Sequence, residues 1–151
     1  MGLYLYQIGG DADYTNGMGW VLRFLRERNA LSPAMPVDAL YDSILSDMDR
    51  KCPRPMRKHF TRTLRRAKTP EAVRFREDLY ARLDVFHAMK HADDDRPPEH
   101  KFMCSSGWII TPDECRSLLS ALSEPAQNDD DFPYGFRDFV RACLSTGFSV
   151  D

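Results

Sequence analysis

No stretch of the 151-residue chain approaches the roughly 18 consecutive apolar residues that carry a helix across a bilayer. The opening MGLYLYQIGGDADY has no basic segment ahead of its short apolar run, so a conventional export signal is not expected either. Cysteine is scarce: Cys52, Cys104, Cys115 and Cys143 are too few to announce a secreted disulfide scaffold, and reduced thiols in a cytoplasmic protein are the expectation. Reaction motifs are missing as well. The loop GGDADYTNGMG has neither the G-x-G-x-x-G spacing nor a Walker lysine, and Ser105 and Ser106 do not stand in a G-x-S-x-G turn. The runs Asp93 to Asp95 and Asp129 to Asp131 lack the calcium-loop spacing and its terminal bidentate glutamate. Nothing here assigns a reaction, and the sequence leaves open whether the protein is an enzyme.

What is present is the composition of a folded globular domain, with 42% apolar and 29% charged residues and ten prolines spread along the chain. Length and composition together predict one compact domain over 1–151, with flexible acidic loops near 92–100 and 124–133. A formal charge of −2 conceals strong segregation: residues 50–68 carry nine basic side chains and no acidic one, inside an otherwise acidic chain. Such a segment faces a partner, a nucleic acid or the protein's own carboxylates.

Periodicity predicts an α-rich α+β fold, a bundle-like packing of five or six helices with short peripheral strands or a small hairpin. Leu3 to Ile8 suits a strand ending at Gly9-Gly10. Apolar residues at helical spacing predict helices over about 18–29, 37–49, 56–68 and 70–91. Leu40, Leu79 and Leu118 are expected in the core. Thr69-Pro70-Glu71 and Thr111-Pro112-Asp113-Glu114 are helix starts, the second with the spacing of a capping box. Phe102 to Cys104 and Trp108 to Ile110 suit a hairpin around Ser105-Ser106-Gly107. The last helix should stop at Gly147, where a left-handed residue is easy to form, before a short strand that includes Phe148 and Val150.

Three constellations carry candidate chemistry. His87 and His91 stand one helical turn apart, and His100 and Cys104 share the same offset beyond a loop, so the four would supply ligands for a structural zinc ion. Ordinary boundary histidines account for the same residues, and no other cofactor is implied. Cys104 with His91 or His100 would make a thiolate–imidazolium pair, although no orienting group accompanies it; this is the form that a small metal-dependent or thiol-dependent enzyme would take. Arg57, Lys58, Arg62, Arg65 and Arg66, off the apolar stripe of the helix expected over 56–68, would contact phosphates of a nucleic acid without reading bases. Trp20 and Trp108 suit core or core-edge positions, and either one, if exposed, would anchor an interface. The preferred expectation is a non-enzymatic protein-interaction or regulatory domain with an unidentified protein partner and no membrane association. A nucleic-acid-binding domain is the alternative.

Overall fold

The computed structural model describes residues 3–15, 17–52, 68–103, 107–123 and 130–151. Arg57, Lys58, Arg62, Arg65 and Arg66, most of the helix expected over 56–68, and Cys104 lie outside the described residues. Those described form five α-helices, a short 3₁₀ turn and a four-stranded antiparallel sheet, the α-rich α+β class that the periodicities predict. By internal contacts the chain divides into two units. One is Pro36–His87; the other joins the flanking stretches Met1–Met35 and Ala88–Asp151.

In the flanking unit, β1 (Leu5–Gln7) turns back into β2 (Asp13–Tyr14), pairing Leu5 with Tyr14 and Tyr6 with Asp13. The sequence places only a loop at β2. The Gln7 carboxamide fixes the hairpin: its Oε1 accepts from the Ala12 amide at 3.3 Å, and its Nε2 donates to the Ala142 carbonyl at 2.9 Å. The sheet order is β2-β1-β4-β3, with β3 (Trp108–Ile110) and β4 (Phe148–Val150) adjacent and β4 between β3 and β1. Alternation decides which face is buried. Leu5, Trp108, Ile110, Phe148 and Val150 are buried, while Tyr4, Tyr6 and Ile8 remain exposed.

Three helices belong to this unit: α1 (Met18–Glu27), α4 (Pro112–Ala121) and α5 (Tyr134–Ala142). Helices α4 and α5 touch each other, α5 also contacts β2, and Phe139 meets Phe148 edge-on at 5.0 Å. After α5 the chain reverses at Gly147, whose φ of +75° is left-handed and whose amide donates to the Cys143 carbonyl at 2.7 Å. A Cβ there would fall 2.3 Å from the Ile110 carbonyl oxygen, so the position requires glycine twice over.

The other unit contains α2 (Val37–Lys51) and most of α3 (Pro70–Ala88). The expected start of α3 is present: Thr69 Oγ1 accepts from the Ala72 amide at 3.2 Å, with Pro70 as the first helical residue. Among the described residues its apolar cluster includes Met48, Cys52, Ala72, Phe75 and Leu79, with Ile44 and Leu83 against it. Asp47 ties α2 to α3 through Arg82 and also accepts from Arg50 and pairs with Lys51. The Arg82 and Lys51 hydrogen bonds hold its carboxyl down at about 2. The stripe read on α2 is only partly buried, since Leu40, Tyr41 and Leu45 are exposed. Leu40 is therefore not a core residue. Periodicity marks which face of a helix is apolar, and the depth of burial depends on the elements that pack on it.

Candidate interaction site

The 3₁₀ turn Glu99–Phe102 takes in Phe102, the first residue of the arm Phe102 to Cys104 that the sequence suggests for a hairpin, and Cys104 lies outside the described residues. Strand β3 pairs with β4 instead. The turn carries Lys101 inward until its ammonium is fully buried against the equally buried Glu114. Nζ lies 2.9 and 3.0 Å from the two carboxylate oxygens, 2.8 Å from the Ile109 carbonyl and 3.2 Å from that of Ala88. An ammonium has three protons to donate, and here it meets three accepting groups. Glu114 also closes the expected capping box, accepting from the Thr111 amide at 2.8 Å while Thr111 Oγ1 accepts from its own amide. Burial pushes the Glu114 carboxyl up and the Lys101 ammonium down, and the charge of each opposes the other's shift. With every polar atom engaged and no exposed surface, this pair is a structural element rather than a reactive one.

His100 neighbours Lys101 in the 3₁₀ turn, and each expected zinc ligand among the described residues has its own surroundings. His100 Nδ1 accepts from the Met35 amide at 3.2 Å, its ring packs edge-on against Trp108 at 4.6 Å, and its Nε2 is buried with no hydrogen-bond partner among the described residues. Burial, reinforced by the Lys101 charge, lowers its pKa to about 4. His91 Nε2 lies 2.8 Å from the Pro33 carbonyl. His87 belongs to the other unit, where its ring meets Phe86 at 5.4 Å. Among the described residues no group of three or more His, Cys, Asp or Glu side chains is placed to hold a metal ion. Of the thiols, Cys115 and Cys143 are buried and pushed up to about 12 and about 11, conditions that suppress a nucleophilic thiolate.

The two tryptophans have separate fates. Trp108 takes the core role that its sequence context allows. Trp20, 40% exposed, stands on α1 beside a hollow of about 380 Å³. Among the described residues, Trp20, Arg23, Phe24, Glu27, Asp130 and Asp131 line it. No family model, curated protein or solved structure matches this chain.

The hollow follows from helical spacing. Trp20, Arg23, Phe24 and Glu27 fall at i, i+3, i+4 and i+7, so they share one face of α1. Phe132 is buried and meets Phe24 edge-on, with ring centres 5.4 Å apart and planes at 88°. This contact draws the 130–133 segment to α1 and supplies Asp130 and Asp131 to the wall. The Phe132 ring is also 4.7 Å from Tyr134, and the Arg137 guanidinium lies over both, at 5.5 and 5.2 Å. At the other end, Gly17 begins the helix at a φ of +68°, and a Cβ there would lie 3.0 Å from Trp20 Nε1. The indole thus rests against a residue with no side chain. The sequence singles out Trp20, but not its neighbours in the hollow, because the 130–132 half reaches α1 only through the tertiary Phe24–Phe132 contact.

Proposed function

We propose that this chain is a non-enzymatic protein-interaction domain whose contact surface is centred on the Trp20 hollow. The observation that carries the reading is the exposed indole at the edge of a cavity lined by charged groups. A large rigid ring buries much area at little conformational cost, and charged neighbours select the partner. Catalysis has less support: Cys115 and Cys143 are buried and protonated at neutral pH, and the most deeply buried charges satisfy each other. A second reading, nucleic-acid binding, is favoured by the nine basic and no acidic residues of segment 50–68.

One experiment separates the two. Wild-type protein and a folded W20A variant serve as baits in nuclease-treated extract, and any retained protein is then purified and titrated against both. Stoichiometric capture by wild type that survives moderate salt and is lost in W20A supports the interaction reading. Equal capture by W20A refutes the proposed surface. Loss of all partners after nuclease, with direct, steeply salt-dependent binding to purified DNA or RNA, replaces it with the second reading.

A further inference from the structure

The chain leaves the flanking unit after Met35 and returns to it at Ala88. Both points are held by consecutive residues of the 3₁₀ turn: His100 Nδ1 accepts from the Met35 amide, and Lys101 Nζ donates to the Ala88 carbonyl. Ala88 is the last residue of α3, so its carbonyl has no partner within the helix and takes one from outside it. The stretch before Met35 is also fastened to the stretch after Ala88. The Ser32 amide donates to the Pro97 carbonyl and the Glu99 amide to the Ser32 carbonyl, each at 3.0 Å, while the Arg96 guanidinium donates to the carbonyl and side chain of Asn29. Lys101 is anchored in turn to Glu114 on α4 and to Ile109 on β3. These bonds close the break in the flanking unit with its own residues.

The two units also differ in how far they bury their apolar residues. Among the described residues, the flanking unit has twenty buried apolar side chains against six large exposed ones, and the 36–87 unit has six against five: Leu40, Tyr41, Leu45, Tyr80 and Val85. A unit with the smaller share of buried apolar contact opens at the lower cost. We propose that the 3₁₀ turn is a staple, which lets the 36–87 unit open while the flanking unit, with its Trp20 hollow, stays folded. Without the staple, the opened unit becomes a slack loop whose closure entropy falls on the remaining contacts between the two flanking stretches. The 50–68 segment, with nine basic side chains and no acidic one, belongs to the unit that opens. An anionic partner that prefers the open form would therefore shift this equilibrium and leave the flanking unit undisturbed.

The test uses the intact chain. Its two tryptophans, Trp20 and Trp108, both lie in the flanking unit, so their fluorescence follows that unit, whereas far-ultraviolet circular dichroism follows the helices of both. In urea, helix signal should be lost before fluorescence changes. Hydrogen exchange read by mass spectrometry then locates the opening. L79A, which empties a buried position on α3, should speed exchange over 37–51 and 70–86 by at least about thirtyfold and leave 108–110 and 148–150 within about twofold of wild type. H100F keeps a ring against Trp108 and removes the acceptor for the Met35 amide. In that background L79A should also speed exchange at 108–110 and 148–150, by about fivefold or more, and H100Q, whose carboxamide oxygen can still accept, should restore the protection. If H100F fails to fold, H100L removes the same acceptor with a smaller side chain, and the same outcomes apply. Coincident urea transitions in wild type, fluorescence changing first, or exchange speeded equally in both units by L79A overturns independent opening. An L79A effect that spreads no further without the acceptor than with it overturns the staple.

Discussion

Replacing Lys101 by methionine should be among the most damaging single changes available to this protein. The substitution keeps the length and apolar stem and removes the ammonium, which leaves three acceptors behind: the Glu114 carboxylate and the carbonyls of Ile109 and Ala88. Glu114 keeps only its bond from the Thr111 amide. Removing one partner of a fully buried pair costs about 3–5 kcal/mol, and an orphaned carbonyl adds about 1–3 kcal/mol where no water reaches it. Against a domain stability of about 5–15 kcal/mol, K101M should lie near the limit of folding. The variant has one escape, protonation of Glu114, and this provides a second signature. Without the ammonium, the folded-state pKa of Glu114 lies further above its unfolded value, so the folded chain binds more protons than the unfolded one. Stability is then greatest below the unfolded carboxyl pKa and is lost as pH rises through the raised folded value, a slope steeper than in the paired wild type, where the Lys101 charge opposes the rise. A K101M/E114L double variant removes both charges and should be less destabilised than the two single changes added together, with a coupling of about 1–3 kcal/mol. It will not return to wild type, because the capping box is lost, at about 1 kcal/mol, and the two carbonyls remain unpaired. Urea unfolding followed by circular dichroism across a pH series measures all of this. A K101M cost below about 1 kcal/mol, or strictly additive single changes, would refute the argument that these atoms are dry and mutually dependent.

His100, lowered to about 4 by burial, is neutral in the folded state and takes up a proton more readily when unfolded. Its contribution should be complete above its unfolded pKa, near 6.5, and lost as pH falls from there through about 4, amounting to about 3 kcal/mol. H100Q should flatten that part of the pH dependence of the urea midpoint, and an unchanged slope would assign it to other groups. G147A combines left-handed strain with a clash against the Ile110 carbonyl and should cost at least about 2 kcal/mol in thermal or urea unfolding; a neutral G147A would show that the turn relaxes freely. L118A should cost about 2–5 kcal/mol and L40A about 1 kcal/mol or less, because the first side chain is fully buried and the second is 40% exposed. Equal costs in the two variants would contradict this assignment of core and surface.

How far the sequence could be read depends on the range of the interactions involved. Thr111, Pro112 and Glu114 specify the start of α4 within four residues, and the structure contains that capping box. Gly147 ends the last helical segment in the left-handed conformation expected of it. These are local devices whose energies depend on few neighbours. The second role of Glu114 was not legible, because its partner Lys101 lies thirteen residues away and reaches it through a 3₁₀ turn that has no strong pattern of its own. Strand β2 escaped notice for a related reason: two residues are too few for alternation, and its hydrogen bonds come from β1. Leu40 shows the opposite failure, a correct apolar stripe credited with too much burial. Trp20 is identifiable from the sequence as a candidate anchor, whereas Asp130 and Asp131 beside it carry no signal beyond their acidic run.

The strand order has a consequence for how the protein is made. β4 follows β1 and β3 along the chain and lies between them in the sheet, so both of its neighbours lack their shared partner until residues 148–150 have been synthesised. During translation β1 can pair only with β2, and a two-stranded hairpin is marginal alone in water. The 36–87 unit, contributed by one uninterrupted stretch, is under no such constraint. Emergence from the ribosome should therefore produce a delayed closure in which a three-residue strand completes two ladders at once, and in which Leu5, Trp108 and Ile110 stay exposed to chaperones until residues 148–150 have emerged.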